Sequence, residues 1–185
     1  KKNKKEDIII LDGRPFEEYN KMSIPESICC PNAEIPYKIS SIVKSPKTDI
    51  IINCAGRTRS IIGAQTLINF GIKNKVYALE NGTQGWVLSD LKLENNKTNF
   101  LDITPKDKEK EKLKSEISNL LDKNHIKVID LPKVKDLIED ETRSTYIFNV
   151  KTNLSPIKSV TGIRNVPGGQ LVQATDNYVG VLKSR

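Results

Sequence analysis

The sequence predicts an α/β protein: an open parallel sheet flanked by helices, followed by a linker helix and a partial second α/β unit. Three observations lead there. Short apolar runs alternate with helix-like segments, the order that builds parallel sheets. The runs at 7–11 and 49–53 are almost continuous isoleucine, as strands covered on both faces require. Beyond a highly charged stretch, the same order of strand and turn starts again near residue 125.

Each element has its own warrant. Residues 7–11 read as a buried strand ending at Asp12-Gly13-Arg14, and Pro15 suits the first turn of a helix reaching about Met22. Residues 28–30 read as a short strand and 34–43 as a helix. Residues 49–53 form a third strand. Ser60, Ile61, Ile62, Ala64, Leu67 and Ile68 have helical spacing, and Gly71 stops that helix. Residues 76–79 are a fourth strand, and 82–89 a turn with a short helix carrying Trp86, read as a core anchor.

Residues 90–105 are polar and irregular. Residues 106–123 form a charged helix with Leu113, Ile117, Leu120 and Leu121 on one face, ready to dock on a neighbour. A second unit follows, with strands at 125–129 and 145–150 and a helix at 132–139. The expected domains are thus 1–92, a linker at 93–124, and 125–185.

The net charge is +7, but aromatic residues are only 5%, and the lysines of 106–114 alternate with Asp107, Glu109 and Glu111. A nucleic-acid surface needs a basic face interleaved with aromatics, so a solvated linker is expected and no nucleic-acid partner. No apolar run reaches membrane-span length and no secretory apolar core is visible, so no membrane association is expected. Cys29, Cys30 and Cys54 make neither a disulfide framework nor a metal-ligand spacing. Free thiols fit a reducing compartment, and a cytoplasmic location is the expectation. The one histidine, His125, is distant in sequence from Cys54 and is not expected to pair with it.

The densest chemistry lies at 51–60, Ile-Ile-Asn-Cys-Ala-Gly-Arg-Thr-Arg-Ser. A strand runs into a cysteine, a short loop follows, and a helix begins. Such a loop points several backbone N–H groups at one spot. With Arg57 and Arg59 beside it, a thiolate is stabilised there, making Cys54 the candidate nucleophile and the loop an anion cradle. The alternative is a cysteine serving as a small buried hydrophobe. Cys29 and Cys30 are read as buried structural residues, with a resolving thiol as the alternative.

The second unit parallels the first. Thr145-Tyr-Ile-Phe-Asn-Val-Lys151 follows the pattern of 7–14, and Pro167-Gly-Gly-Gln-Leu171 that of Pro31-Asn-Ala-Glu-Ile35. At that offset the counterpart of Cys54 falls beyond Arg185, and the counterpart of 125–139 falls before Lys1. The expectation is a chain holding one unit short of its start and half of the next.

Asp12-Gly13-Arg14, Glu18-Tyr19, Ile24-Pro25-Glu26-Ser27, Cys54-Ala-Gly-Arg-Thr-Arg59 and Gly85-Trp86, in this order, resemble a rhodanese domain. The resemblance covers 7–92 in full, and 125–185 look like the first half of another such domain, as in bacterial proteins with tandem copies. Ser23 and Glu26 stand where the family often has histidine and glycine. Asn149 and Lys151 stand where it prefers Asp and Arg.

The resemblance implies sulfur transfer from thiosulfate or a similar donor to a thiol or cyanide through a Cys54 persulfide, with no cofactor and no metal. The backbone of Ala55, Gly56, Arg57, Thr58 and Arg59 would cradle the persulfide, and Arg57 and Arg59 would hold the sulfonate end of the donor. Asp12 and Arg14 would support the loop, either as a buried pair or in contact with the donor. Two other readings stand beside this one. A scaffold or regulatory module would not need a reactive thiol. A cysteine phosphatase needs Cys-x5-Arg, whereas Arg59 gives a loop one residue shorter. Packing against other domains of the same kind is a further expectation.

Overall fold

The computed structural model describes residues 7–100, 107–150 and 162–185. Lys1–Lys5, Lys106, Lys151 and the stretch 101–105, named above, lie outside them. The chain divides into two compact units, Lys1–Ile117 and Ser118–Arg185.

In the first unit, β1 (Ile8–Asp12) lies at the centre of a parallel sheet of order β2-β1-β3-β4, with β2 (Ile28–Cys29), β3 (Asp49–Asn53) and β4 (Val76–Ala78). Its register pairs Asp12 with Cys29 on one side and with Asn53 on the other. Strand ends carrying polar residues therefore converge on one edge of the sheet. Helices α1 (Phe16–Lys21), α2 (Ile35–Ile42), α3 (Arg59–Asn69) and α4 (Gly82–Leu88) make the connections.

Leu11, Cys30, Ile35, Ile39, Ile50, Ile52, Ala64 and Leu67 form the core. Ile50 and Ile52 are fully hidden, each worth about 1.5–3 kcal/mol. Helix α3 buries Gly63, Ala64 and Leu67, leaving Ile61 and Ile68 more than half exposed. In α1, Tyr19 is buried and donates its hydroxyl to the Ser27 carbonyl at 2.8 Å.

Part of the irregular stretch after α4 is bound to this unit. The residue pair Cys29–Phe100 bridges it to the free side of β2 and Ser23–Glu94 to the segment before that strand, and Asn95 and Asn99 donate to the carbonyls of Lys21 and Ser27 at 2.7 and 3.0 Å. That pairing satisfies backbone groups an edge strand would expose. Helix α5 (Asp107–Lys123) follows, with Leu113 buried.

The second unit holds α6 (Leu131–Glu139), β5 (Ile147–Asn149), β6 (Ile163–Asn165) and α7 (Gly168–Gln173). Asp130 caps α6 by accepting from the Lys133 N–H at 3.0 Å. Strands β5 and β6 pair in parallel, Asn149 opposite Asn165. The Val166 N–H donates to the Asn149 carbonyl at 3.0 Å, as the Cys30 N–H does to Asp12 at 2.9 Å. The two units thus share this strand-to-turn hydrogen bond.

Trp86, expected as a core anchor, is only half-buried, and its indole N–H donates to the Lys92 carbonyl at 3.1 Å. A second expectation also fails. Residues 125–129 are not a strand: Ile126 and Val128 are 54% and 80% exposed, and no described strand pairs with them. An apolar run supplies only half of a strand; the rest comes from a neighbour. The shorter strand at Ile147–Asn149, against an expected 145–150, follows the same logic, since β6 is only three residues long.

Candidate active site

Strand β3 carries Cys54 to the polar edge of the sheet, one residue past Asn53, and Ile50 and Ile52 anchor it from below. The chain then turns through Ala55, Gly56, Arg57 and Thr58 before α3 starts at Arg59. The Gly56 N–H donates to Cys54 Sγ at 3.4 Å. Gly56 has φ of 143°, and a side chain there would lie 2.7 Å from the Asn81 carbonyl oxygen. Both facts demand glycine.

Helix α4 holds the outer side of the loop. The Thr83 N–H donates to the Cys54 carbonyl at 2.9 Å, and the Gln84 N–H to the Ala55 carbonyl at 3.0 Å. Gly82 lies so close that a Cβ would sit 2.1 Å from the Cys54 carbonyl oxygen. The carbonyls of Cys54 and Ala55 are therefore drawn toward α4, while the Arg57 carbonyl lies 3.9 Å from Sγ.

The thiol is wholly buried, and burial by itself would raise its pKa. Hydrogen bonds from the Ser60 hydroxyl and from the backbone at Gly56, Ser60 and Arg57 outweigh that and hold it below an ordinary cysteine. Burial pushes both Cys29 and Cys30 up to about 12. Three hidden thiols thus differ in their surroundings: hydrogen bonds favour the thiolate at Cys54, and burial disfavours it at Cys29 and Cys30.

Asp12 and Arg14 form a buried pair. The Arg14 Nε and Nη2 donate to Asp12 at 2.8 Å each, Asn53 Nδ2 donates to the same carboxylate at 2.8 Å, and Arg14 also reaches the Met22 carbonyl at 2.7 Å. Both residues are at most 2% exposed.

Arg59 has a partner within the first unit. Its two terminal nitrogens meet Glu18 at 2.7 and 2.8 Å, a fork closed on a carboxylate. A guanidinium held this way braces α1 against α3. Arg57 and Thr58 are exposed on the loop. The side chain of Arg57 makes no ion pair among the described residues.

Several participants carried no sequence signal of their own. Ser60 has the spacing of a helix start, and its hydroxyl also helps to lower the Cys54 thiol. Thr83 and Gln84 lie far along the chain. Asn32 donates Nδ2 to the Arg59 carbonyl at 2.8 Å, in a slot between Gly13 and Gly63. Among the described residues, no three His, Cys, Asp or Glu side chains gather as metal ligands would, and no helix is long and apolar enough to cross a membrane.

Residues 1–89 match the family model of the rhodanese-like domain. The chain is similar in structure to a thiosulfate sulfurtransferase from Pseudomonas aeruginosa, with a TM-score of 0.84 and 37% identity over 97% of this chain. It spans only 34% of that protein. A protein from Bacillus halodurans (TM-score 0.44, 24% identity, 58% of this chain and 77% of that one) and a rhodanese-related protein from Thermoplasma volcanium (0.42, 25%, 48% and 84%) are more remote. The chain has no match among curated protein sequences. The sheet order, the cysteine loop and the family match agree: residues 1–89 of this chain belong to the rhodanese-like domain family.

Proposed function

We propose that this chain is a sulfurtransferase that moves a sulfane sulfur from thiosulfate, or a similar donor, to a thiol or cyanide through a persulfide on Cys54. The reading rests on one observation: Cys54 follows β3 at the polar edge of the sheet in a glycine loop clamped by α4, with the Gly56 N–H donating to its sulfur at 3.4 Å.

The Cys54 thiolate attacks the outer sulfur of the donor. A sulfur–sulfur bond forms to Cys54, the bond from that sulfur to the sulfonate breaks, and sulfite leaves with the electron pair. The terminal persulfide sulfur carries negative charge, which the loop N–H groups stabilise. An acceptor thiolate or cyanide then attacks that sulfur, and the Cys54 thiolate departs. Two half-reactions through a covalent intermediate give ping-pong kinetics. Arg57, exposed and without an ion pair among the described residues, meets the anionic end of the donor.

Mass spectrometry of the protein after thiosulfate treatment tests this reading. One added sulfur on the peptide holding Cys54, removed by cyanide, supports it. Unchanged mass with every donor tried, while the thiol still alkylates readily, would favour the scaffold reading.

A further inference from the structure

Two backbone N–H groups face Cys54 from peptide units whose carbonyls are gripped from elsewhere: that of Gly56, which donates to Sγ, and that of Ser60, which helps to hold the thiol below its ordinary value. In a trans peptide the C=O and N–H of one unit point in opposite directions, so fixing one aims the other. The Gly56 N–H, 3.4 Å from Sγ, shares its unit with the Ala55 carbonyl. That oxygen accepts from the Gln84 N–H at 3.0 Å and from the Thr83 hydroxyl at 3.3 Å. The Ser60 N–H shares its unit with the Arg59 carbonyl, which accepts from Asn32 Nδ2 at 2.8 Å.

The slot around Asn32 is built for this. A Cβ on Gly13 would lie 2.1 Å from Asn32 Oδ1, and one on Gly63 2.4 Å from it, so only two glycines admit the amide. Asn32 Oδ1 is buried without a conventional partner, and the glycine Cα–H groups face it. Turning the amide over would set that oxygen against the Arg59 carbonyl, so Nδ2 stays where it is. The side chains of Asn32 and Thr83 are almost wholly hidden, at 8% and 3% exposure for the residues.

We infer that Asn32 and Thr83 are positioning residues, which aim the Ser60 and Gly56 amides at Cys54 by holding the carbonyls of the same peptide units. Neither touches the sulfur through a hydrogen bond. Donation to a carbonyl also polarises the N–H at the other end of its unit, strengthening it as a donor. The charged groups nearby leave room for such an effect: Arg59 is closed on Glu18, Arg14 on Asp12, and α4 presents the uncharged Thr83 and Gln84. Arg57 is on the loop itself.

The inference rests on Cys54 being the reactive thiol, but its test needs no sulfur donor and so stands apart from the transfer reaction. Alkylation of Cys54 by iodoacetamide is followed against pH, with the modified peptide identified by mass spectrometry and folding checked through Trp86 fluorescence. N32L, similar in size but unable to donate, is expected to move the titration midpoint upward by about one pH unit. T83V is expected to move it upward by less, since the Gln84 N–H remains. A role in folding alone would lower thermal stability and leave the midpoint in place, and that result overturns the inference. Should N32L not fold, T83V decides: an upward shift supports the assignment and an unchanged midpoint ends it.

Discussion

Burial cannot decide which thiol reacts, because Cys29, Cys30 and Cys54 are all at most 1% exposed. The difference lies in what donates to the sulfur. Cys54 is expected to alkylate fast near neutral pH while Cys29 and Cys30 stay unmodified until unfolding; equal labelling of all three would remove the primed thiol. C54S is expected to abolish sulfur transfer with the melting temperature nearly unchanged. The two loop arginines separate in the same way. R57A should raise the donor KM about tenfold, the loss of one charge-assisted contact, with stability intact. R59A should lower stability by about 1 kcal/mol through the broken Glu18 fork, which is partly solvent-screened. Comparable KM changes in both variants would return Arg59 to donor binding. The sequence made Cys54, Gly56 and Arg57 legible because strand, loop and helix start are local patterns. It could not assign Arg59, whose partner Glu18 lies 41 residues away. Nor could it find Asn32 or Thr83, whose work is done through carbonyls and leaves no motif.

Elements enter the chemistry through how they meet the loop. Helix α4 has only seven residues, too few to be stable alone, and its value is the position of its first turn. G82A places a methyl 2.1 Å from the Cys54 carbonyl oxygen on a backbone with φ of 50°, so the loop or the helix must shift. The expected result is a folded protein with at least a tenfold loss of transfer and a slower-reacting Cys54; full activity would show that α4 does not hold the loop. A second strained point lies in the turn before β2. Glu26 is exposed with φ of 63°, where related domains often place glycine. E26G is expected to raise stability by about 1 kcal/mol, read as a higher melting temperature, because the left-handed backbone no longer carries a Cβ. Strands and helices of the first unit were readable within a residue or two, since isoleucine runs and glycine stops are strong local signals. Residues 125–129 carry an equally apolar run and yet form no strand, because periodicity reports what a segment could pair with, not whether a partner is there.

At the level of the molecule, the same thiols write a signature into stability. Each unit has its own contacts, and Trp86, the one tryptophan, reports the first. In that unit Cys29 and Cys30 keep their protons up to about 12, chiefly through burial, while in an unfolded chain they ionise near the ordinary thiol value. Between those limits the unfolded state binds fewer protons than the folded one, so stability falls as pH rises. The limiting slope is about 1.4 kcal/mol per pH unit for each thiol. Tyr19, raised by burial, adds to the fall once free tyrosine begins to ionise. Cys54 works in the opposite sense. Its folded pKa is lowered, so between that value and the ordinary one the folded state has lost a proton that the unfolded state keeps, and stability rises with pH. Denaturant unfolding of the first unit, followed by Trp86 fluorescence, should therefore show stability climbing toward about pH 9 and declining beyond it. C54S should flatten the climb and leave the decline. C30A, though less stable at every pH, should decline less steeply between pH 9 and the point where Tyr19 takes over. A decline of equal slope in C30A would mean that its thiol ionises in the folded protein as readily as in the unfolded chain, and the contrast between inert and primed cysteines would have to be sought in access to the sulfur instead of in its charge.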